Sequence, residues 1–402
     1  MDPTSQTIRQ QFQRYYLEPA RRITGPQAMA NREFGFLLFK EKFMVRHRAF
    51  RTSEQLLGAI RDLVPAHVYF STARYKEPTA AMEEKGWEGA DLVFDIDADH
   101  LDTECKPTHD NWKCKGCGNV GRGSAPKICP SCKNDRFDEQ TWLCEKCLHQ
   151  AKEETVKLLD MLYSDFAVDP SDLRIFFSGH RGYHIHVYSD ELRTLGEEER
   201  REFADYMTAQ GLDPQLHGLL ERPIEGVRIL EGPAMGQPGW RGRIVKGVFD
   251  MLGGDLEKLG LQPGHVKVLK EFDRNEIFRK PVWSLFKGVD LATWKDLVSK
   301  SVENAKIDTV VTTDVHRLIR LPGTLNGHTG LLAVEVQSER LDDFDPFTES
   351  TAFTESMKVH VKEAPRFRLG TEHHGPFHDE SVTLPAAAAM LLLCKRRAEP
   401  AT

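Results

Sequence analysis

Residues 173–188 read LRIFFSGHRGYHIHVY, and their pattern decides the fold. Apolar, aromatic and β-branched runs flank a segment bounded by Gly179 and Gly182, which predicts two strands joined by a tight turn. If 183–188 is a strand, His184 and His186 share one face, because side chains alternate. Ser178, His180, Arg181 and His184 place four polar groups within seven residues of otherwise apolar sequence. Burying them unpaired would cost roughly 1–3 kcal/mol each, so a ligand is the economical reading. The glycines let backbone approach that ligand, and Ser178 and Arg181 offer donors suited to an anionic phosphate. His186 reads as a satisfied core residue.

Moving upstream, residues 91–97 (DLVFDID) read as a buried strand whose end carries acids. Asp95 and Asp97 stand two apart, so both carboxylates leave the same face. Such a pair repels unless cations neutralise it, which is the arrangement that two-metal phosphoryl transfer needs; an acidic strand end facing water is the bland alternative. Asp99 extends the series, but His100 and Lys106 stand where a calcium loop needs Gly and Glu. Between the two strand regions, Val156, Leu159, Leu162, Tyr163 and Phe166 predict one apolar face of a helix over 149–166. Strand and helix therefore alternate. Earlier, 53–64 predicts a helix with Ser53 at its N-cap, after a stretch whose Lys40, Lys42, Arg46, Arg48 and Arg51 read as a solvated face.

Downstream, 190–300 turns to charge-rich helical patterns, interrupted by a glycine-rich stretch at 231–247 that reads as loop. The strand-like pattern returns at 307–321. There Asp308 precedes Thr312 or Thr313, either able to cap a short helix, with Arg317 and Arg320 three apart on one side and able to hold phosphate. Residues 363–382 read as a polar surface segment in which His373, His374 and His378 are solvated. Residues 385–397 form a short terminal helix packed on the core.

Seven of eight cysteines lie between positions 105 and 147, with three Cys-x-x-Cys pairs. In a reducing compartment this spacing points to metal rather than disulfides. Cys114, Cys117, Cys129 and Cys132 form a zinc-ribbon pattern, enclosed by Cys105, His109, Cys144 and Cys147. His100 or His149 could replace His109 in the outer set. Four protein ligands each make both sites structural, since no position is left open for catalysis. Cys394 stands apart with no assigned role.

Composition bounds the rest. The formal charge is −7 over 402 residues, which excludes a uniformly basic coat or histone-like binder. Hydrophobic residues at 40% and charged residues at 29% exclude wholesale disorder. The amino terminus has no apolar signal core, and the longest apolar stretch, 384–394, is far short of the ~20 residues of a spanning helix, so a cytoplasmic location is expected.

Taken together, LVFDIDAD (92–99), SGHRGYHIHV (178–187) and DTVVTTDVHRLIRLPGTLNG (308–327), with zinc ligands after the first, resemble the small catalytic subunit of archaeal and eukaryotic DNA primase. The resemblance covers roughly residues 10–340. It implies an α+β fold: a primase core of the RRM-like type, a mixed sheet flanked by helices, with a zinc-binding insertion and a helical subdomain. The expected layout is a catalytic core over 1–190 that includes a zinc insertion at 105–147, a helical subdomain over 191–300, the second part of the core over 301–345, and a C-terminal segment over 346–402.

The resemblance further implies template-directed synthesis of short RNA, and also DNA, primers on single-stranded DNA from nucleoside triphosphates, with a large subunit carrying an iron–sulfur cluster as partner and no membrane. On the residues that match, it assigns Mg²⁺ or Mn²⁺ to Asp95, Asp97 and Asp308. It assigns nucleotide binding to Ser178, His180, Arg181, His184, Arg320 and, more loosely, Arg46. It assigns zinc to Cys105, His109, Cys144 and Cys147, so the inner ribbon is extra to the minimal pattern. Asn326 stands where many members have His, with His328 nearby, and the position of His180 varies in the family. A repair-type primase-polymerase and a non-catalytic zinc-ribbon nucleic-acid-binding subunit are the alternatives.

Overall fold

A computed structural model describes residues 1–18, 23–39, 43–271, 283 and 289–401, so Lys40 and Lys42 of the basic stretch lie outside the described residues. The chain divides into two compact units, one of residues 1–155, 170–204 and 306–402, the other of residues 156–169 and 205–305. Helices and several small sheets make the fold α+β.

Two four-stranded sheets organise the first unit. One has the order β15-β10-β11-β6, built from β6 (Leu92–Asp97), β10 (Leu173–Phe177), β11 (Gly182–Val187) and β15 (Val334–Val336). The other has the order β14-β3-β1-β2, from β1 (Phe34–Leu37), β2 (Met44–Arg48), β3 (His67–Ser71) and β14 (Leu318–Arg320). Every pairing in both is antiparallel, which corrects the mixed sheet that the resemblance implied. The reason is that β6 and β10, which share a direction, never pair: β11 lies between them as in a split β-α-β unit.

The helix joining β6 to β10 over Glu145–Phe166 buries Ala151, Thr155, Leu158 and Leu162, one helical stripe. Val156, expected on that stripe, is exposed. Helix Ser53–Leu63 is capped by Thr52, one residue earlier than expected, whose side chain accepts from the Gln55 amide at 3.2 Å.

Small sheets complete this unit: β4 (Ala73–Tyr75) with β5 (Trp87–Ala90), and β7 (Asn111–Cys114) between β8 (Val120–Arg122) and β9 (Phe137–Gln140) in the Cys-rich segment. At the C-terminus β16 (Ser356–Ala364) lies between β19 (Phe377–Pro385) and β20 (Ala398–Pro400), with the hairpin β17 (Phe367–Leu369) and β18 (Glu372–His374) nearby in sequence. The segment 363–382 is therefore largely strand, and His374 is buried against Phe367 rather than solvated. Helix Ala386–Cys394 is apolar all round and buried from Ala386 to Leu393, as such a helix must be.

In the second unit, β12 (Leu220–Ile224) and β13 (Val227–Glu231) form a hairpin, followed by helices Gly239–Leu252, Pro263–Glu271 and Leu291–Ser301. The expected loop at 231–247 is thus half helix. Trp240, Ile244, Val245, Val248 and Leu252 recur at helical spacing, and their burial overrides the weak propensity of the interspersed glycines. Ile244, Val245 and Val248 share a core with Leu219, Leu230, Trp294, Leu297 and Val298.

Candidate active site

The site is built where β6 and β11 run side by side. His184 stands directly opposite Asp95 and Gly182 opposite Asp97 in the ladder. His184 Nε2 lies 3.5 Å from Asp95 Oδ1. Only glycine fits at 182, since a Cβ there would lie 2.0 Å from the Ile96 carbonyl oxygen. Gly179 takes φ +72°, which turns the chain back from β10 into β11. The third acid arrives from a distant segment: the Asp308 amide donates to the Asp95 carbonyl at 2.8 Å, and its side chain caps helix Thr309–Thr313. Neither Thr312 nor Thr313 is that cap, and Arg317 and Arg320 do not share a helix. Arg320 ends β14 opposite Tyr69 of β3, because the chain turns at Asp314, whose carboxylate accepts the His316 amide.

Charge in this pocket is unbalanced. Burial, then the neighbouring Asp97 and Asp308, push Asp95 up to about 7, against a partial offset by Arg317 and Arg320. Burial would raise Asp97 as well, but His180, the Asp99 amide at 2.8 Å and Arg181 outweigh it and hold its carboxyl below the usual range. His180, taken down to about 4 by burial and by the Lys395 ammonium, is neutral at pH 7. Burial and Arg320 likewise lower His184, to about 3. Crowded, oxygen-only carboxylates with one held reluctantly ionised fit a hard divalent cation such as Mg²⁺ or Mn²⁺. Asp97, Asp99 and His180 also bring ligand atoms within 4.8 Å of one another.

A cavity of about 150 Å³ opens on these groups, lined by Asp95, Asp97, Ser178, His180, His184 and Arg320 together with Tyr69, Arg317, Asn326 and His328. Arg320 donates to His67 Nδ1 at 2.7 Å and lies over the Tyr69 ring, 5.1 Å from its centroid. Asn326 is fully buried and clamps the Ser178 turn by donating to the Ser178 carbonyl at 3.2 Å. Two expected nucleotide residues are not brought to the cavity lining. Arg181 is fully buried against Asp99 and Asp110. Arg46 pairs with Glu33 at 2.8 Å on β2, the edge strand opposite β14.

Sequence reasoning missed Tyr69, His67, Asp110 and Lys395. Lys395 Nζ lies 3.2 Å from His180 Nε2 across 215 residues of chain. Nothing local marks Lys395 out from Arg396 and Arg397 in the basic run that follows the apolar helix.

The cysteines gather as two sets. Cys105 Sγ lies 3.4 Å from Cys147 Sγ and 3.8 Å from Cys144 Sγ, with His109 Nε2 at 3.7 Å from Cys147. Cys114 and Cys132 are 3.5 Å apart, Cys117 and Cys129 3.7 Å. Tetrahedral zinc with ~2.3 Å bonds to sulfur separates its ligands by about 3.8 Å, so both sets fit that ion. His109 completes the outer set and donates through Nδ1 to Asp110 at 2.7 Å, leaving Nε2 to the sulfurs.

A family profile described as DNA primase small subunit matches residues 133–338. The DNA primase small subunit PriS of Nitrosopumilus maritimus is 31% identical over 391 residues, covering 96% of this chain and 96% of that protein. The proteins of the same name from Cenarchaeum symbiosum and Methanothrix thermoacetophila are 32% and 34% identical, each match covering 98% of both chains. With Asp95 and Asp97 on a paired strand, Asp308 hydrogen-bonded to the Asp95 backbone, a polar turn beside them and relatives matched over nearly their whole length, the chain belongs to the DNA primase small subunit family.

Proposed function

We propose that this chain is the catalytic subunit of a DNA primase, joining nucleoside triphosphates into short RNA primers on single-stranded DNA by nucleotidyl transfer. The observation that carries this reading is the convergence of Asp95, Asp97 and Asp308 beside the Ser178–His184 turn and Arg320. Divalent Mg²⁺ or Mn²⁺ held by the three acids would lower the pKa of the primer 3′-hydroxyl and stabilise the leaving pyrophosphate. The chain's own contribution is placement and charge. Arg320 and Arg317 face the cavity as cations and offset the triphosphate's negative charge. Ser178 and the neutral His180 and His184 offer hydrogen bonds. Arg181 supports the site from outside the cavity by holding Asp99.

The wider reading has two structural zinc ions, a large subunit as partner, a cytoplasmic location, and the core, zinc insertion, helical subdomain and C-terminal segment as the organisation of the chain. Among the described residues no helix is long and apolar enough to cross a membrane. The test is primer synthesis on single-stranded template by the Asp95→Ala, Asp97→Ala double variant. Loss of at least a thousandfold in rate is expected from removing metal-binding acids, and undiminished synthesis overturns the assignment.

A further inference from the structure

Arg181 was expected at the nucleotide's phosphates, but the structure makes it a link between two sites. Its guanidinium is fully buried. Nη1 donates to both oxygens of Asp110, at 3.0 and 2.8 Å, and to the Trp142 carbonyl at 3.1 Å. Nη2 lies 2.8 Å from Asp99 Oδ1. Its backbone carbonyl accepts from the Ala98 amide at 3.1 Å. One residue thus fastens the segment that carries Asp97 and Asp99 by both main chain and side chain.

Asp110 faces the other way as well. It is 3% exposed, and Oδ1 also accepts from the Trp142 amide at 2.8 Å and from His109 Nδ1 at 2.7 Å. His109 belongs to the outer cysteine–histidine set, and Trp142 stands two residues before Cys144 of the same set. Both limbs of that set, 105–109 and 142–147, therefore converge on one carboxylate, and that carboxylate holds Arg181. Carboxylates behind a metal-bound histidine fix its orientation, and their loss weakens metal affinity or activity by about 10- to 100-fold. Here the same carboxylate has a second client in the acidic segment.

We propose that Asp110 is a positioning residue coupling the outer zinc site to the catalytic acids through Arg181 and Asp99. The proposal rests on the reading of Asp95, Asp97 and Asp308 as the nucleotide–metal site. Order at the outer site then sets the position of the Asp97–Asp99 segment, and because coupling free energies are reciprocal, filling the catalytic site must tighten the outer zinc site in turn.

The reciprocal direction gives a test that needs no activity measurement. Zinc release from the intact protein to a zinc-selective chelator is followed with and without Mg²⁺ and a nucleoside triphosphate, whose binding is measured in parallel by calorimetry. The outer-site phase is expected to slow by about tenfold when both are bound. In Asp110→Asn, and independently in Arg181→Lys, that protection is expected to vanish while two zinc ions per chain remain. Nucleotide that binds without slowing release overturns the coupling, as does full protection in both variants. Failure of Mg²⁺–nucleotide to bind at all overturns instead the functional reading beneath it. If Asp110→Asn does not retain zinc, Arg181→Lys, which leaves every zinc ligand and Asp110 in place, decides the matter.

Discussion

At the scale of single residues, Asp95 carries the clearest conflict between stability and its proposed role. Its carboxyl is raised to about 7 by burial and by the charges of Asp97 and Asp308. A group whose folded pKa exceeds its unfolded value of ~3.9 favours the folded state below that unfolded value and loses the contribution as pH rises through the folded pKa. Metal-free protein should therefore lose stability between about pH 4 and 7 on account of this group. Asp95→Asn removes the titration. In thermal melts without divalent ions the variant is expected to melt higher than the parent at pH 8, with the gap narrowing towards pH 5. Millimolar Mg²⁺ should close or reverse it, since only the parent gains the binding contribution. A variant no more stable at pH 8 than at pH 5, relative to the parent, contradicts the buried repulsion. Asp95 and Asp97 were legible because alternation along six residues suffices to place them. Lys395 was not, because its meeting with His180 depends on how the C-terminal helix returns to the core, which no local pattern encodes.

At the scale of elements, β6 is held at both ends by charge. Its acidic end makes the site, and just before its start Asp91, 1% exposed, anchors four arginines. Arg32, itself fully buried, pairs with the Asp91 carboxylate, Arg193 approaches it at 3.3 Å and Arg74 at 3.8 Å, while Arg200 donates to the Asp91 carbonyl at 3.2 Å. Removing this carboxylate takes the counter-charge from the buried Arg32 guanidinium, while Arg193 keeps Asp190. Asp91→Ala is expected to cost about 3–5 kcal/mol in denaturant unfolding, far more than the ~0–1 kcal/mol of an exposed pair. A loss under 1 kcal/mol would show that the arginines find other partners. Apolar runs made β6, β10 and β11 readable. β16 and β19 escaped notice because a sheet with one solvated face buries only Val359, Val361, Ala364 and Leu384, scattered among polar neighbours. Helix Gly239–Leu252 escaped because its glycines and the preceding proline look like turn signals until its buried stripe is counted.

At the scale of the whole molecule, a chain of formal charge −7 with the proposed function would meet a polyanionic template and nucleotide, so attraction would come from local cations such as Arg317 and Arg320. The cysteines bear on the whole molecule differently, because they close loops. The outer set joins positions 42 apart in sequence and the inner set positions 18 apart. The difference in closure entropy is only about 0.7 kcal/mol, too small to rank the sites. Access ranks them instead: Cys114 and Cys129 of the inner set are buried but its Cys117 and Cys132 are exposed, whereas in the outer set Cys147 is buried and Cys105 and Cys144 are half-buried. The two groupings of side chains were legible from spacing alone, while this difference in burial was not, since it depends on tertiary packing around each group. Metal analysis is therefore expected to find two zinc ions per chain, released to a chelator in two phases of one ion each, the inner first. Cys117→Ser should remove the fast phase and one ion while leaving the slow phase and the fold, read by circular dichroism, unchanged. A single phase, or one ion in the parent protein, is incompatible with two nested sites of unequal exposure.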